Sequence, residues 1–170
     1  METRVYKTKE LTEKILQQAH REAERFSSKH GRKPTLAVVL VGSDPASQIY
    51  VGKKSETCKA HGLHALDFSL SPNAGFAKLE ELVRSLNARD DIDGILVQSP
   101  PPTHIDECAV IQAIDPRKDV DGFHPVNVAK LTLEDTSGFV PCTPAGWQRL
   151  LMDAGVETDG ANIVVLGRSM

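Results

Sequence analysis

Helix-like and strand-like segments alternate along most of this chain, and their order constrains the fold more than any other feature of the sequence. Residues 35–41 and 92–98 are predicted to be buried strands, and residues 64–70 a further strand. Apolar residues at helical spacing predict helices at residues 9–29 and 76–86, and helices closed by Gly62 and stopped before Pro116 are predicted at 46–61 and 106–114. Strands that alternate with helices form parallel sheets with right-handed crossovers. We therefore predict an α/β domain of three layers around a parallel sheet.

The pattern changes near residue 140. Thr143 and Pro144 are typical of a helix N-cap and of a first helical position. The apolar face of this helix is predicted to consist of Trp147, Leu150, Leu151 and Ala154. Residues 161–166, ANIVVL, are predicted to form a strand that runs into a glycine-containing turn, which is typical of the start of a Rossmann fold. We therefore predict one domain at residues 1–140, and at 141–170 a connecting helix and the first strand of a Rossmann domain whose remainder is absent.

Composition argues against several classes of protein. The net charge is −3 and the basic residues are scattered, which disfavours a nucleic-acid partner. No stretch approaches the ~18 apolar residues that a membrane span needs, and the charged N-terminus lacks the apolar core of a secretory signal. Cys58, Cys108 and Cys142 are too widely spaced for a metal motif, and their odd number does not suggest a disulfide framework. A reducing compartment, the cytoplasm, is expected, with no bound metal.

Polar residues follow the predicted strands where a parallel sheet gathers its ligands, beyond the carboxyl ends. Ser47, Tyr50 and Lys54 lie on the helix after the first strand. Tyr50 and Lys54 are four residues apart and therefore share one helix face. A lysine desolvated beside an aromatic ring can exchange a proton near neutral pH. The alternative is a solvated lysine on an amphipathic helix, which the neighbouring Lys53 favours.

Two further polar residues are candidates for the same edge of the sheet. Gln98 ends the third predicted strand, and its amide could orient both a lysine and a substrate carbonyl. Asp121 lies in the polar stretch PRKDVDGFHPVN at 116–127, and a carboxylate there can accept two parallel N–H bonds from an aminopyrimidinone edge such as that of a pterin. The alternative for Gln98 is a turn residue bonded to local backbone. The alternatives for Asp121 are an ordinary Asp-rich turn and a loop braced by Arg117 and Lys118.

Taken together, five segments in order resemble the methylenetetrahydrofolate dehydrogenase/cyclohydrolase family, the bifunctional type called FolD in bacteria: VGSDPASQIYVGKK, DGILVQSPPP, AIDPRKDVDGFHPVNVAKL, PCTPAGW and VVLGRS. The resemblance implies a substrate-binding and catalytic domain at 1–140 and an NADP-binding Rossmann domain that begins in 141–170. It also implies a reversible, two-step role in one-carbon metabolism. NADP accepts a hydride from 5,10-methylenetetrahydrofolate, and water then opens 5,10-methenyltetrahydrofolate to 10-formyltetrahydrofolate.

The resemblance also implies roles for individual residues. Lys54 is implied to be the catalytic lysine, with Tyr50 positioning or stacking on the folate and Gln98 tuning Lys54. Asp121 is implied to hold the pterin edge. The other implied substrate-binding residues are Ser47 and Pro100. Water attack on the cationic methenyl carbon creates a proton that must be removed, and a lysine can accept it whereas a permanently charged arginine cannot.

The last implied site is for the cofactor. Gly167, Arg168 and Ser169 would approach the phosphates of NADP, which is implied rather than NAD; an arginine fork suits phosphate. A surface turn is the alternative for these three residues. The resemblance implies a homodimer that binds a small folate substrate, without nucleic acid, membrane or metal.

The sequence departs from the family pattern in two places. Where the family usually reads VQLPLP, Ser99 and Pro101 replace leucines that would pack on the aromatic portion of folate, which bears on substrate affinity and tail preference. Beyond GRS the family continues into a V-G-x-P stretch, a full Rossmann domain and a returning helix, so we expect exposed apolar surface here. If the chain truly ends at residue 170, the alternatives are a non-enzymatic folate-binding fragment and a variant with only cyclohydrolase activity.

Overall fold

The computed structural model describes residues 8–167, and the structural statements below refer to these residues. The elements in chain order are α1 Lys9–His30, β1 Thr35–Val41, α2 Pro45–Ala60, β2 His64–Leu70, α3 Phe76–Asn87, β3 Gly94–Val97, α4 Glu107–Ala113, α5 Pro125–Thr132 and α6 Cys142–Asp153. The three predicted strands and the first four predicted helices are confirmed, although β3 is shorter than expected. Helix α5 was not predicted. None of the described helices combines the length and apolarity needed to cross a membrane.

The strands form a parallel sheet in the order β2-β1-β3, with β1 in the centre. Alternate side chains of β1 point to opposite faces. Val39 packs in a cluster with Leu79 and Val83 of α3, whereas Val38 packs in a second cluster with Val51 of α2. All but Val51 of these side chains are completely buried. The three-layer α/β architecture is therefore confirmed, with α2 on one face of the sheet and α3 and α4 on the other.

The predicted strand at residues 161–166 is wrong. The backbone of 161–167 forms no regular secondary structure, and Val164, Val165 and Leu166 are 83%, 87% and 93% exposed. An extended segment becomes a strand only when a neighbouring strand satisfies its backbone groups. No strand among the described residues lies beside this segment, so its apolar content alone was not enough to make it a strand.

The helix near residue 147 is confirmed, but its details differ from the prediction. It begins at Cys142, and Pro141 rather than Thr143 occupies the N-cap position. Its apolar face is only partly covered: Trp147 is 64% exposed, Leu150, Leu151 and Ala154 are half-buried, and no residue of α6 is fully buried. The helix lies near α1, where Lys14 pairs with Asp153 at 3.6 Å.

An ion pair closes the amino edge of the sheet, opposite the candidate site. The Asp93 carboxylate accepts hydrogen bonds from both terminal nitrogens of Arg32, at 2.6 and 2.8 Å, and from the Thr35 amide at 2.8 Å. Burial raises the pKa of Asp93, but the bonds from Arg32 and Thr35 outweigh this effect and leave the pKa below its ordinary value. This pair ties the loop after α1 to the starts of β1 and β3.

We predict that Asp93→Asn lowers the free energy of unfolding at pH 7 by on the order of 2 kcal/mol, because charge-assisted bonds are lost. A carboxyl with a lowered folded-state pKa stabilises the fold above its unfolded pKa, and this contribution disappears as pH falls through the folded pKa. The difference between wild type and variant should therefore shrink towards acid pH in urea titrations. Asp91→Asn, in an exposed pair with Arg89, is the control and should change little. A difference that stays constant at acid pH would contradict the assignment.

Candidate active site

Lys54 and Gln98 meet at the carboxyl edge of the sheet. The Lys54 Nζ donates a hydrogen bond to the Gln98 Oε1 at 3.1 Å. The backbone amide of Gln98 continues the ladder by donating to the Val39 carbonyl at 2.8 Å. The Gln98 Nε2 donates to the Ser99 carbonyl at 2.7 Å, which turns the amide oxygen towards the lysine. Two residues 44 positions apart are thus joined because α2 and β3 both have an end at this edge.

Tyr50 lies one helical turn before Lys54 on α2. The Lys54 Nζ is 5.6 Å from the centre of the Tyr50 ring, within the range of a cation–π contact. Tyr50 is 64% exposed, whereas Lys54 is half-buried. The ring therefore contacts the ammonium group of Lys54 and still exposes apolar area on which a planar ligand could stack.

Asp121 belongs to the same cluster. Burial raises the pKa of Asp121, the positive charge of Lys54 opposes this shift, and the negative charge of Asp119 adds to it. Asp121 lines the same small cavity as Gln98, the hydrogen-bond partner of Lys54. A lysine, an amide and a half-buried carboxylate therefore gather at one edge of the sheet.

Gly122 shapes the backbone beside Asp121. Its φ is 72°, in the left-handed region that side chains rarely adopt. A Cβ at this position would lie 2.7 Å from the backbone nitrogen of Pro141 and 2.7 Å from the carbonyl carbon of Val140. Only glycine lets the loop after Asp121 pass so close to the segment before α6.

Ser47 and Pro100 lie at the edge without a direct bond to this cluster in the described contacts. The Ser47 amide donates to the Asp44 carboxylate at 2.8 Å, which starts α2. Hydrogen bonds from the Ser47 backbone and hydroxyl hold the pKa of Asp44 below its usual value. Pro100 is exposed on the turn after Gln98 and follows a cis peptide bond. Ser47 therefore acts first as part of the helix start, and Pro100 lies on the rim of the site.

A small cavity of about 40 Å³ lies behind Gln98, with Asp121 and Phe123 on one wall. It has room for at least one water molecule, and a whole folate is far larger. The hydroxyl of Ser99 bonds to the Glu107 carboxylate on another side of the cavity. A folate-sized ligand would therefore have to occupy the open side of the cluster, towards Tyr50.

Two residues near the cluster, Cys142 and Asn127, were not singled out as functional from the sequence. Cys142 donates a weak bond from Sγ to the Val120 carbonyl at 3.5 Å. Burial raises the pKa of this thiol, and the charge of Asp121 raises it further. Asp119 and Asn127 are buried behind Asp121. Nothing in the sequence spacing indicates these contacts, because they depend on how the loop folds back.

The residues predicted to bind a nucleotide phosphate form no pocket in the described part of the chain. Gly167 is exposed, and a Cβ built on it would meet nothing within 4 Å. Arg168 and Ser169 lie outside the described residues. Gly167 therefore offers no observed cradle for NADP.

The parallel sheet and the cluster at its carboxyl edge define an α/β protein with a ligand site of the kind such sheets carry. The sequence pattern described as "Tetrahydrofolate dehydrogenase/cyclohydrolase, catalytic domain" matches residues 6–121. The chain belongs to this family, which confirms the resemblance found in the motifs.

Curated relatives support this family assignment. The bifunctional protein FolD of Acetivibrio thermocellus is 46% identical over 169 residues, covering 99% of this chain and 59% of that protein. FolD of Aquifex aeolicus is 45% identical over 159 residues, covering 94% of this chain and 55% of that protein. The chain thus spans little more than half the length of these relatives.

Solved structures share the fold. The bifunctional enzyme FolD, methylenetetrahydrofolate dehydrogenase/cyclohydrolase, from Campylobacter jejuni matches with a TM-score of 0.83 and 42% identity, covering 86% of this chain and 51% of that one. The FolD of Trypanosoma brucei, solved with NADP cofactor and inhibitor, matches with a TM-score of 0.86 and 32% identity, covering 92% of this chain and 54% of that one. The arrangement of helices and strands is therefore that of the family.

Proposed function

We propose that this chain binds a tetrahydrofolate derivative at the carboxyl edge of its sheet and hydrolyses 5,10-methenyltetrahydrofolate to 10-formyltetrahydrofolate. The observation that carries this proposal is the cluster itself: Lys54 is bonded to Gln98 at 3.1 Å, and Asp121 lines the same cavity as Gln98. Family membership supplies the substrate class, and the cluster supplies groups that suit its chemistry.

Asp121 is suited to binding the pterin. A reduced pterin presents adjacent N–H groups on its aminopyrimidinone edge, and an ionised carboxylate can accept two of them in parallel. Tyr50 offers an exposed ring on which the planar part of the folate can stack. Ser47 and Pro100 are proposed to line the outer part of the same site.

Lys54 is suited to the proton transfers of hydrolysis. Attack of water on the cationic methenyl carbon forms a C–O bond and leaves a proton to be removed. The amine of Lys54 can accept that proton and return it to the ring nitrogen as the C–N bond breaks. The new hydroxyl group then loses its own proton to solvent and becomes the formyl carbonyl. Gln98 orients the amine through the observed hydrogen bond, and its free amide hydrogen can face the substrate.

The dehydrogenase step is proposed for the whole protein of which this chain carries the folate site. NADP, rather than NAD, would accept the hydride of 5,10-methylenetetrahydrofolate, and Gly167, Arg168 and Ser169 would approach its phosphates. The division into residues 1–140 and 141–170 and the homodimer remain predictions. The three cysteines are free thiols, which suits the proposed cytoplasmic location.

The proposal is tested by adding the 170-residue chain to 5,10-methenyltetrahydrofolate and following the loss of methenyl absorbance. We expect hydrolysis faster than the spontaneous rate and proportional to protein concentration, without added nucleotide. Gln98→Ala removes the group that orients the lysine, so it should slow hydrolysis. Gln112→Ala, an exposed glutamine on α4, should not. A wild-type rate equal to the spontaneous rate would refute hydrolysis by this chain.

A further inference from the structure

Asp119 is a buried carboxylate that no step of the proposed reaction uses. It is 2% exposed, and its backbone forms an isolated parallel β-bridge with Ile95 of β3. The chain at Asp119 therefore extends the sheet on the outer side of β3. Its Oδ1 accepts a hydrogen bond from the Gly122 amide at 3.1 Å. Its Oδ2 accepts from the His124 amide at 2.8 Å and from the Asn127 Nδ2 at 2.9 Å. One side chain therefore holds two backbone amides of the loop that contains Asp121 and one side-chain donor of the helix that follows it.

Asn127 extends this arrangement to two other segments. It is 2% exposed at the start of α5, and its Nδ2 also donates to the Pro116 carbonyl at 2.9 Å. Its Oδ1 accepts from the Phe139 amide at 3.3 Å. Asn127 thus joins the segment before Asp119, the helix after the loop and the segment that precedes α6.

The bonds made by Asp119 decide where Asp121 can point. The loop turns back on the Asp119 carboxylate at Gly122 and at His124, so the backbone on the far side of Asp121 is fixed. The Asp119 side chain is turned into the loop, whereas Asp121 is only half-buried and lies near Lys54. The two carboxylates of this short motif therefore have different environments and different tasks.

We propose that Asp119 and Asn127 are positioning residues that hold the Asp121 carboxylate towards the pterin edge of the folate. This inference rests on the proposed function of the same site. Neither residue touches the substrate; both act through the backbone of residues 119–124. Asn127 is the smaller contributor, because the carboxylate keeps two backbone donors when the amide of Asn127 is lost.

A carboxylate at position 119 does more than accept hydrogen bonds. An amide in its place would offer one oxygen and turn an NH₂ group towards the remaining donors. It would also remove a negative charge that raises the pKa of Asp121. The other groups around Asp121 are Lys54 on α2, Glu107 on α4 and the Cys142 thiol at the start of α6, and these stay unchanged.

The test measures the dissociation constant of tetrahydrofolate for the 170-residue chain by calorimetry, between pH 5 and 8, in the presence of a thiol reductant. For Asp119→Asn we expect affinity at pH 7.5 to fall on the order of tenfold, with its loss at acid pH moved to lower pH. For Asn127→Ala we expect roughly a fivefold loss with no such movement, because the charge of Asp119 remains. Replacing a purely structural residue would lower stability but leave the dissociation constant of the folded protein unchanged.

Asp93→Asn is the matched control, because Asp93 also braces a loop by three hydrogen bonds but at the opposite edge of the sheet. It should destabilise the fold and leave the dissociation constant within about twofold of wild type.

The inference is overturned if both Asp119→Asn and Asn127→Ala bind as tightly as wild type, or if Asp93→Asn weakens binding equally. If Asp119→Asn does not fold, the dissociation constant of Asn127→Ala tests the inference alone, and an affinity equal to that of wild type would overturn it. If the proposed function itself is wrong, wild type will not bind tetrahydrofolate, or Asp121→Ala will bind it as tightly as wild type.

Discussion

Replacing Lys54 with alanine is expected to reduce hydrolysis of 5,10-methenyltetrahydrofolate by about 100- to 10,000-fold, which is the usual contribution of a positioned acid–base group. The substitution removes the amine that is bonded to Gln98 and leaves Asp121 in place. Tetrahydrofolate should therefore still bind, with an affinity within several-fold of wild type. Initial rates of absorbance loss and a calorimetric titration measure the two effects separately.

Two further variants separate proton transfer from charge. Lys53→Ala is the matched control, because Lys53 is the exposed neighbour of Lys54 on the same helix, and its rate should equal that of wild type. Lys54→Arg keeps a positive charge and a hydrogen-bond donor but cannot exchange a proton near neutral pH. It should therefore be nearly as slow as Lys54→Ala. An active Lys54→Arg variant would show that charge, and not proton transfer, is the contribution of this residue.

Replacing Asp121 with alanine is expected to weaken tetrahydrofolate binding about 10- to 100-fold, because the pterin N–H groups lose a charged acceptor. Asp90→Ala, which removes an exposed carboxylate near the amino edge of the sheet, should bind like wild type. Titration of the three proteins at pH 7.5 checks this. Equal affinities would remove Asp121 from the pterin site.

The same carboxylate predicts the direction of pH dependence. Burial holds the pKa of Asp121 above its ordinary value, with Lys54 opposing the shift. Only the ionised form accepts two parallel, charge-assisted N–H bonds, so wild-type affinity should fall as pH falls through this raised pKa. The loss should begin at a higher pH than for an exposed aspartate. Asp121→Asn should bind weakly and lack this pH dependence, and a variant that retained it would assign the titration to another group.

Strong local patterns made much of the fold predictable. Residues 36–41 are apolar throughout because β1 is the central strand and is covered on both faces. The parallel order followed from the alternation with helices, and it brings the ends of β1 and β3 to one edge. That geometry, together with the family motifs, was enough to select Lys54 and Gln98 before their hydrogen bond was known.

Other features depend on packing that no local pattern encodes. The buried positions of Asp119 and Asn127 arise because residues 119–127 fold back on themselves. The residue types in this segment are equally typical of an exposed polar loop. Helix α5 is short, and Pro125 at its start is as typical of a turn. Residues 161–166 have the composition of a strand but no partner among the described residues, so the pattern indicated a structure that needs a neighbour to form.

The most direct test of the account is a crystal structure of this chain with tetrahydrofolate bound. The account predicts that the aminopyrimidinone edge of the pterin lies within hydrogen-bonding distance of the Asp121 carboxylate. It also predicts that the nitrogens which carry the one-carbon unit face the Nζ of Lys54, with the ring beside Tyr50. A folate bound elsewhere, or one whose pterin edge points away from Asp121, would contradict the central claim that these side chains form one pterin site.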